Sequence, residues 1–241
     1  MHRLTVLSNA YRVRNAEIAV RTEEDTQHGN GSTSLVTPDS AIRIHRRRLS
    51  AEELRDAMLA VSGKLDRSPG TNESGELLFE KAENIGSKIR PNRLAADDPF
   101  YTQFTKRSIY LPVVRNMLPD VLALFDAADP NGVTAVRNET TVASQSLFLL
   151  NNPFVREQAR FFAERLLGDA TLTDDQRLDQ AHLESCGRPP TPEEKTDARD
   201  FLAAYLAAQA AQARPETDRR LSAWQSYCQS LLCSNEFLYV D

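Results

Sequence analysis

Three clusters of polar residues carry the side-chain chemistry this sequence could use. The first is Arg46-Arg47-Arg48, followed by Glu52, Glu53, Arg55 and Asp56. On a helix, Glu52 and Asp56 lie one turn apart on one face, with Arg55 beside them. Guanidinium forks grip carboxylate or sulfate groups, such as those of an acidic glycan. The same residues suit a salt-bridge network of Arg48, Glu52, Arg55 and Asp56 that anchors the helix to the 107–138 segment, and this is the leading expectation.

The second cluster is Arg137, Thr140, Thr141, Gln145 and Asn151, with Arg107, Tyr110 and Arg115 as candidate neighbours. Polar side chains in an irregular stretch satisfy exposed amides, and Thr140 or Thr141 suits a cap on the following helix. They equally suit a ligand groove, because binding residues concentrate on scaffolded loops. The third cluster is Asn235-Glu236-Phe237. Asn235 is expected to end a helix, and Phe237, Leu238 and Tyr239 to fold back into the core. Glu236 is expected to form a buried pair with an arginine of the first two clusters. A carboxylate pair can hydrolyse a glycoside, which would need Glu236 to approach Asp126 or Asp56. The Ser, Cys and His residues form no nucleophile motif: G-x-S-x-G does not occur, and no cysteine adjoins a plausible base.

Other chemistries are disfavoured. Cys186, Cys228 and Cys233 are odd in number and irregularly spaced, which argues for buried free thiols rather than a disulfide framework. His2, His28, His45 and His182 have no zinc-ligand spacing, so no metal site is expected. C-x-x-C-H does not occur, so the chain has no c-type haem attachment site, and no cofactor is expected in it. A net charge of −5 argues against nucleic acid as a partner. No apolar run approaches the roughly 18 residues of a membrane span, and the chain opens on no signal-peptide pattern.

Helices must position these clusters. With 41% hydrophobic residues, the 241-residue chain can bury a substantial core. Leu4, Leu7 and Tyr11 give a helical stripe at residues 2–12, and 13–40 reads as a loop. Ser50-Ala51-Glu52-Glu53 is a capping box, from which Leu54, Met58, Val61 and Leu65 make one apolar face. Residues 67–99 read as a long loop with at most a short element near Glu76–Phe79. Arg107–Leu111 is expected to be extended. Pro119 suits the first turn of a short helix that buries Val121, Leu122 and Phe125. Residues 126–138 cross irregularly, and a short apolar helix follows over 143–150. Asn152-Pro153 starts the next helix, Thr173 with Gln176 another that Gly187 closes, and Thr191-Pro192-Glu193-Glu194 a third. A last helix carries Leu221, Trp224, Cys228 and Leu231. The helices joined by Gly187-Arg188-Pro189-Pro190 are expected to be antiparallel. The fold class is mostly α: an irregular multi-helix domain with long loops, ending in a C-terminal helical subdomain at 169–241.

The ordered segments HRLTVLSNAYR, RRRLSAEELRDAMLAVSGKLD, KRSIYLPVVRNMLPDVLALFD, TTVASQSLFLLNNPFV, GRPPTPEE and AWQSYCQSLLCSNEFLYVD resemble planctomycete-specific domain one, a domain of unknown function. The resemblance covers most of 1–12, 41–66 and 106–241. That domain usually ends long proteins that begin with a cytochrome-c-like module. The resemblance therefore implies an N-terminally truncated chain, an extracytoplasmic (periplasmic or cell-surface) location, and upstream modules or other proteins as partners. It implies no defined reaction. The functional expectation is a non-catalytic interaction or scaffold domain. The alternatives are binding or processing of an acidic or sulfated polysaccharide, or an accessory role beside a haem-bearing segment. Arg137→Ala is expected mainly to lower stability.

Overall fold

A computed structural model describes residues 47–69, 103–111, 118–210 and 214–240. The chain divides into two compact units, Met1–Arg47 with Asp241, and Arg48–Val240. The helix expected at 2–12, the loop at 13–40, residues 70–99 of the second loop, and Arg115 lie outside the described residues.

The described part is mostly helical. Its helices are α1 (Ala51–Val61), α2 (Asp120–Leu124), α3 (Ala143–Asn151), α4 (Pro153–Gly168), α5 (Asp174–Cys186), α6 (Pro192–Gln209), α7 (Glu216–Leu232) and α8 (Asn235–Leu238). Two-residue strands β1 (Arg47–Arg48) and β2 (Tyr239–Val240) pair into one small sheet. None of the described helices is long and apolar enough to cross a membrane.

Local chemistry sets the helix ends. Ser50 Oγ accepts from the Glu53 amide at 3.4 Å while Glu53 Oε2 accepts from the Ser50 amide at 2.9 Å, so two orphan donors of α1 are satisfied reciprocally. Thr173 with Gln176 and Thr191 with Glu194 repeat the arrangement at α5 and α6. Asn152 Oδ1 takes the Phe154 amide at 2.8 Å, with Pro153 opening α4. Gly187 closes α5 at φ 72°, a left-handed backbone that glycine adopts without a Cβ penalty.

Four local expectations need correction. Residues 108–110 form a 3-10 turn rather than extended chain, because Ser108 is drawn onto α1. Pro119 stands at the N-cap of α2 rather than within its first turn. Val142 is the N-cap residue of α3, so neither Thr140 nor Thr141 caps it. α7 ends at Leu232, and Ser234 caps the separate turn α8, so Asn235 begins a helix instead of ending one. Phe237 on that turn is buried and Leu238 packs against the core.

The core is built on α4 and α7, which share the most extensive helix–helix contact. Gln225 reaches the Arg156 carbonyl and Gln229 the carbonyls of Leu149 and Leu150, so rising numbers on α7 meet falling numbers toward α4 and the pair is antiparallel. Ala159, Ala163 and Ala223 are fully buried, and Phe162, Leu166, Trp224, Cys228 and Leu232 fill the space around them. α5 and α6 are antiparallel by the same reasoning, since Asp175 pairs with Arg199 and Asp179 with Lys195. α1 docks on α4 with Leu54, Met58 and Leu59 inward, and buried Ser62 donates to Gln158 Oε1 at 2.8 Å.

One titratable contact lies within this core. His182 of α5 is 6% exposed, and its Nε2 lies 2.8 Å from the Tyr227 hydroxyl of α7. Burial holds the His182 pKa below its ordinary 6.5, with Glu194, Glu236 and Asp179 pulling it up and Arg188 pulling it down. The unfolded chain therefore takes up this proton first, and stability falls as pH drops below 6.5. In His182→Gln, urea midpoints measured between neutrality and mild acid should show a shallower pH slope than the parent. An equal slope would mean that other groups set it.

Candidate functional site

The capping box fixes the start of α1, and this start places Glu52, Glu53 and Asp56 along one wall of a cleft of about 660 Å³. Ser50, Leu65, Arg107, Ser108, Ile109, Leu111 and Arg137 complete the lining. Arg137 Nη1 donates to Glu52 Oε2 at 2.7 Å, across a pair whose side chains are 45% and 29% exposed. Arg107 is further out: its Nε lies 3.9 Å from Asp56 Oδ2, and its side chain is 59% exposed.

Beneath the cleft, buried Arg55 ties α1 to the 104–108 segment. Its Nη1 donates to the Lys106 carbonyl at 3.2 Å and to Ser108 Oγ at 3.1 Å, and its Nη2 donates to the Phe104 carbonyl. The guanidinium carbon also lies 5.6 Å from the Phe104 ring centroid and 5.7 Å from that of Phe154. Burial pulls the Arg55 pKa down to about 10, opposed by Asp56, which leaves it charged at neutral pH. Asp56 Oδ1 accepts from both the amide and the hydroxyl of Ser108, each at 2.7 Å. The 3-10 turn is thus pinned to α1 from two adjacent helical residues.

A second buried guanidinium organises the 125–140 crossing. Arg48 Nη2 donates to Asp126 Oδ2 at 2.7 Å and to the Phe125 carbonyl at 3.3 Å, and its Nη1 donates to the Thr140 carbonyl. Asp126, with φ 61°, also accepts from the Thr140 amide at 2.8 Å and from Thr140 Oγ1 at 2.9 Å. Burial would raise the Asp126 pKa, but the hydrogen bonds from Arg48 and Thr140 outweigh it and hold the carboxyl below its usual range. Buried Gln145 completes the knot. Its Nε2 donates to the Leu124 and Thr140 carbonyls at 2.9 and 3.0 Å, while Oε1 accepts from the Val142 amide at 3.3 Å.

The sequence-predicted residues do not gather into one site. Arg107, Arg137, Glu52 and Asp56 share the cleft. Arg48, Arg55 and Gln145 lie buried, with donors directed at backbone carbonyls. Tyr110 sits half-buried on the 3-10 turn. Thr141 Oγ1 lies 3.4 Å from the Tyr239 hydroxyl. Asn151 Nδ2 turns back to the Leu147 carbonyl at 2.9 Å, closing its own helix. Glu236 is 45% exposed and pairs at 2.8 Å with Arg188, which also grips Glu194, so the expected buried pair with an arginine of the first two clusters does not form. Arg188 lies in the linker between α5 and α6, and α8 packs on α5, which is why this partner comes from another part of the chain.

Sequence reasoning passed over Asp126 and Ser108 as organising residues. For Asp126 a signal existed, since Asp and Asn are the ordinary non-glycine occupants of left-handed backbone. For Ser108 there was none, because its partners lie about fifty residues upstream on α1. Among the described residues, no group of three or more His, Cys, Asp or Glu is placed to hold a metal ion. Cys228 is buried and free, and burial raises its thiol pKa well above the ordinary value.

Arg137→Ala should cost only about 0.2–1 kcal/mol, as a half-exposed ion pair does. Urea unfolding of the variant checks this, and a larger loss would show that Arg137 fastens the crossing loop as the buried arginines do.

Fold and site together define a multi-helix domain whose irregular crossings are fastened by buried guanidinium groups. The chain belongs to the PSD1 family, described as proteins of unknown function (DUF1553), whose family model matches residues 1–202. The tail at 234–241 lies beyond that match. No curated protein and no solved structure matches the chain.

Proposed function

We propose that this chain is a non-catalytic interaction domain, serving as a scaffold within an extracytoplasmic protein and carrying no resident cofactor. One observation carries the reading: the buried arginines Arg48, Arg55 and Arg177 direct Nη donors at carbonyls and side chains of this same chain. They build rigid loops rather than a ligand pocket. The displaced carboxylates agree with this. Asp126 is held below its usual range by Arg48 and Thr140, and Glu184 by Arg165 and Gln180, all groups of this same chain. The extracytoplasmic placement rests on the family resemblance alone.

An acidic or sulfated polysaccharide is the weaker reading, because the cleft guanidiniums Arg137 and Arg107 already face Glu52 and Asp56. Melting curves against neutral, uronic and sulfated glycans, with reducing-end release measured alongside, test the choice. The expected result is no shift and no release. A selective, salt-sensitive shift would overturn the interaction reading in favour of glycan binding.

A further inference from the structure

The crossing between α2 and α3 is tied at its base and open along its arc. Arg48 grips the Phe125 and Thr140 carbonyls and the Asp126 carboxylate, and Asp126 takes the Thr140 amide and hydroxyl. Between these ties, residues 131–139 are all exposed. The arc begins with the turn Asp129-Pro130-Asn131-Gly132. Asp129 Oδ1 accepts from the Asn131 amide at 2.8 Å and from Asn131 Nδ2 at 3.0 Å. The Gly132 amide reaches the Asp129 carbonyl only at 3.4 Å, beyond the ordinary range of an N–H···O bond. Gly132 lies outside the left-handed region, and a Cβ placed there would meet nothing within 4 Å. An exposed carboxamide therefore stands beside a backbone nitrogen that no side chain shields and that is only weakly hydrogen-bonded.

Those are the conditions for ring closure between neighbouring residues, an intramolecular attack favoured by proximity. We propose that Asn131 is a site of spontaneous deamidation, through a succinimide formed with Gly132. Hydroxide takes the Gly132 amide proton, the nitrogen attacks Asn131 Cγ, and the Cγ–Nδ2 bond breaks with release of ammonia. Water then opens the ring. Opening at Cγ leaves aspartate, and opening at the main-chain carbonyl leaves isoaspartate, whose backbone runs through the side chain. Either product suits the fold, because Asn131 lies outside the core and bonds to Asp129, two residues away, while the ties at 126 and 140 stand apart from it. Other asparagines differ. Asn151 Nδ2 is engaged by the Leu147 carbonyl, and Asn152 Oδ1 caps α4 and precedes Pro153, whose nitrogen has no proton to lose. Asn138 and Asn235 each precede a glutamate, whose side chain crowds the attacking nitrogen.

Incubating the folded chain at mildly alkaline pH, in water enriched in heavy oxygen, tests the proposal by mass spectrometry of tryptic peptides. The peptide spanning 116–137 should gain the mass of a deamidation with a heavy oxygen, and fragmentation should place it at residue 131 as mixed aspartate and isoaspartate. Conversion there should outpace that at Asn138, Asn151, Asn152 and Asn235 by about tenfold or more. Gly132→Ala should slow it by about tenfold, with an unchanged melting curve, because the added methyl group meets open space. A synthetic peptide of the same sequence should react at a rate similar to that of the folded chain, since the fold leaves this turn open. Conversion at residue 131 no faster than elsewhere, or an equal rate in Gly132→Ala, would overturn the assignment. A folded chain that reacts about tenfold slower than the peptide would overturn it too, by showing the turn to be protected.

Discussion

Arg55→Ala should destabilise the protein by about 3 kcal/mol, the scale of loss when one partner of a buried, hydrogen-bonded charge network is removed. The reason lies in what the truncation leaves behind. The carbonyls of Phe104 and Lys106, the Ser108 hydroxyl and the Asp56 carboxylate all face this guanidinium, and the side chain is only 2% exposed. Each partner left without a donor costs its desolvation, which exceeds the net worth of the hydrogen bond itself. The packing of the guanidinium against Phe104 and Phe154 goes too. Arg55→Lys separates charge from geometry, because an ammonium keeps the charge but cannot present a planar fork to two carbonyls at once. It should recover less than half of the loss. Urea unfolding gives both values, provided the m-value is unchanged. A loss below about 1 kcal/mol for Arg55→Ala would mean that water replaces the guanidinium and that the 104–108 segment is not fastened through it.

The contrast between Arg55 and the helix caps shows what the sequence could reveal. Ser50 with Glu53, Thr173 with Gln176, and Thr191 with Glu194 are legible because both members of each box lie within one turn, so spacing alone brings them together. The apolar stripes of α4 and α7 are legible for the same reason. The network around Arg55 is not. Its partners lie about fifty residues downstream, and helical periodicity assigns Arg55 only to a face of α1. The 3-10 turn fails in the same way, since residues 107–111 have extended-chain composition and become a turn only because α1 supplies Asp56. Glu236 illustrates the limit for pairing: that it would meet an arginine was readable, but not that the arginine would be Arg188. At the candidate site, the residue types were visible, whereas their division between the cleft and the buried clamps depended on tertiary placement. Ile109 is the extreme case. Nothing in the sequence distinguishes an isoleucine held in solvent from one that is buried.

Asp126→Ala should cost about 3 kcal/mol, for two reasons that a short series of variants can separate. Arg48, 7% exposed at its side chain, would lose the Asp126 carboxylate while remaining confined between the Phe125 and Thr140 carbonyls. The backbone would also hold alanine at φ 61°, a region that aspartate and asparagine tolerate better because a short polar side chain can bond locally. Asp126→Gly removes the conformational strain and keeps the charge loss, so it should be less damaging than alanine by roughly 1 kcal/mol. Asp126→Asn keeps the backbone preference and part of the hydrogen bonding to Thr140 but removes the charge that Asp126 sets against Arg48, so it reports the ion pair more directly. The pH dependence provides an independent reading. Because the folded-state pKa of Asp126 lies below its ordinary 3.8, the carboxylate stabilises the fold above that pH, and the contribution disappears as pH falls through the folded value. Asp126→Asn should therefore be weaker than the parent near neutrality and converge with it in strong acid. Parallel curves across that range would locate the cost in the backbone at residue 126 rather than in the pair with Arg48, and the clamp on the 125–140 crossing would then be conformational rather than electrostatic.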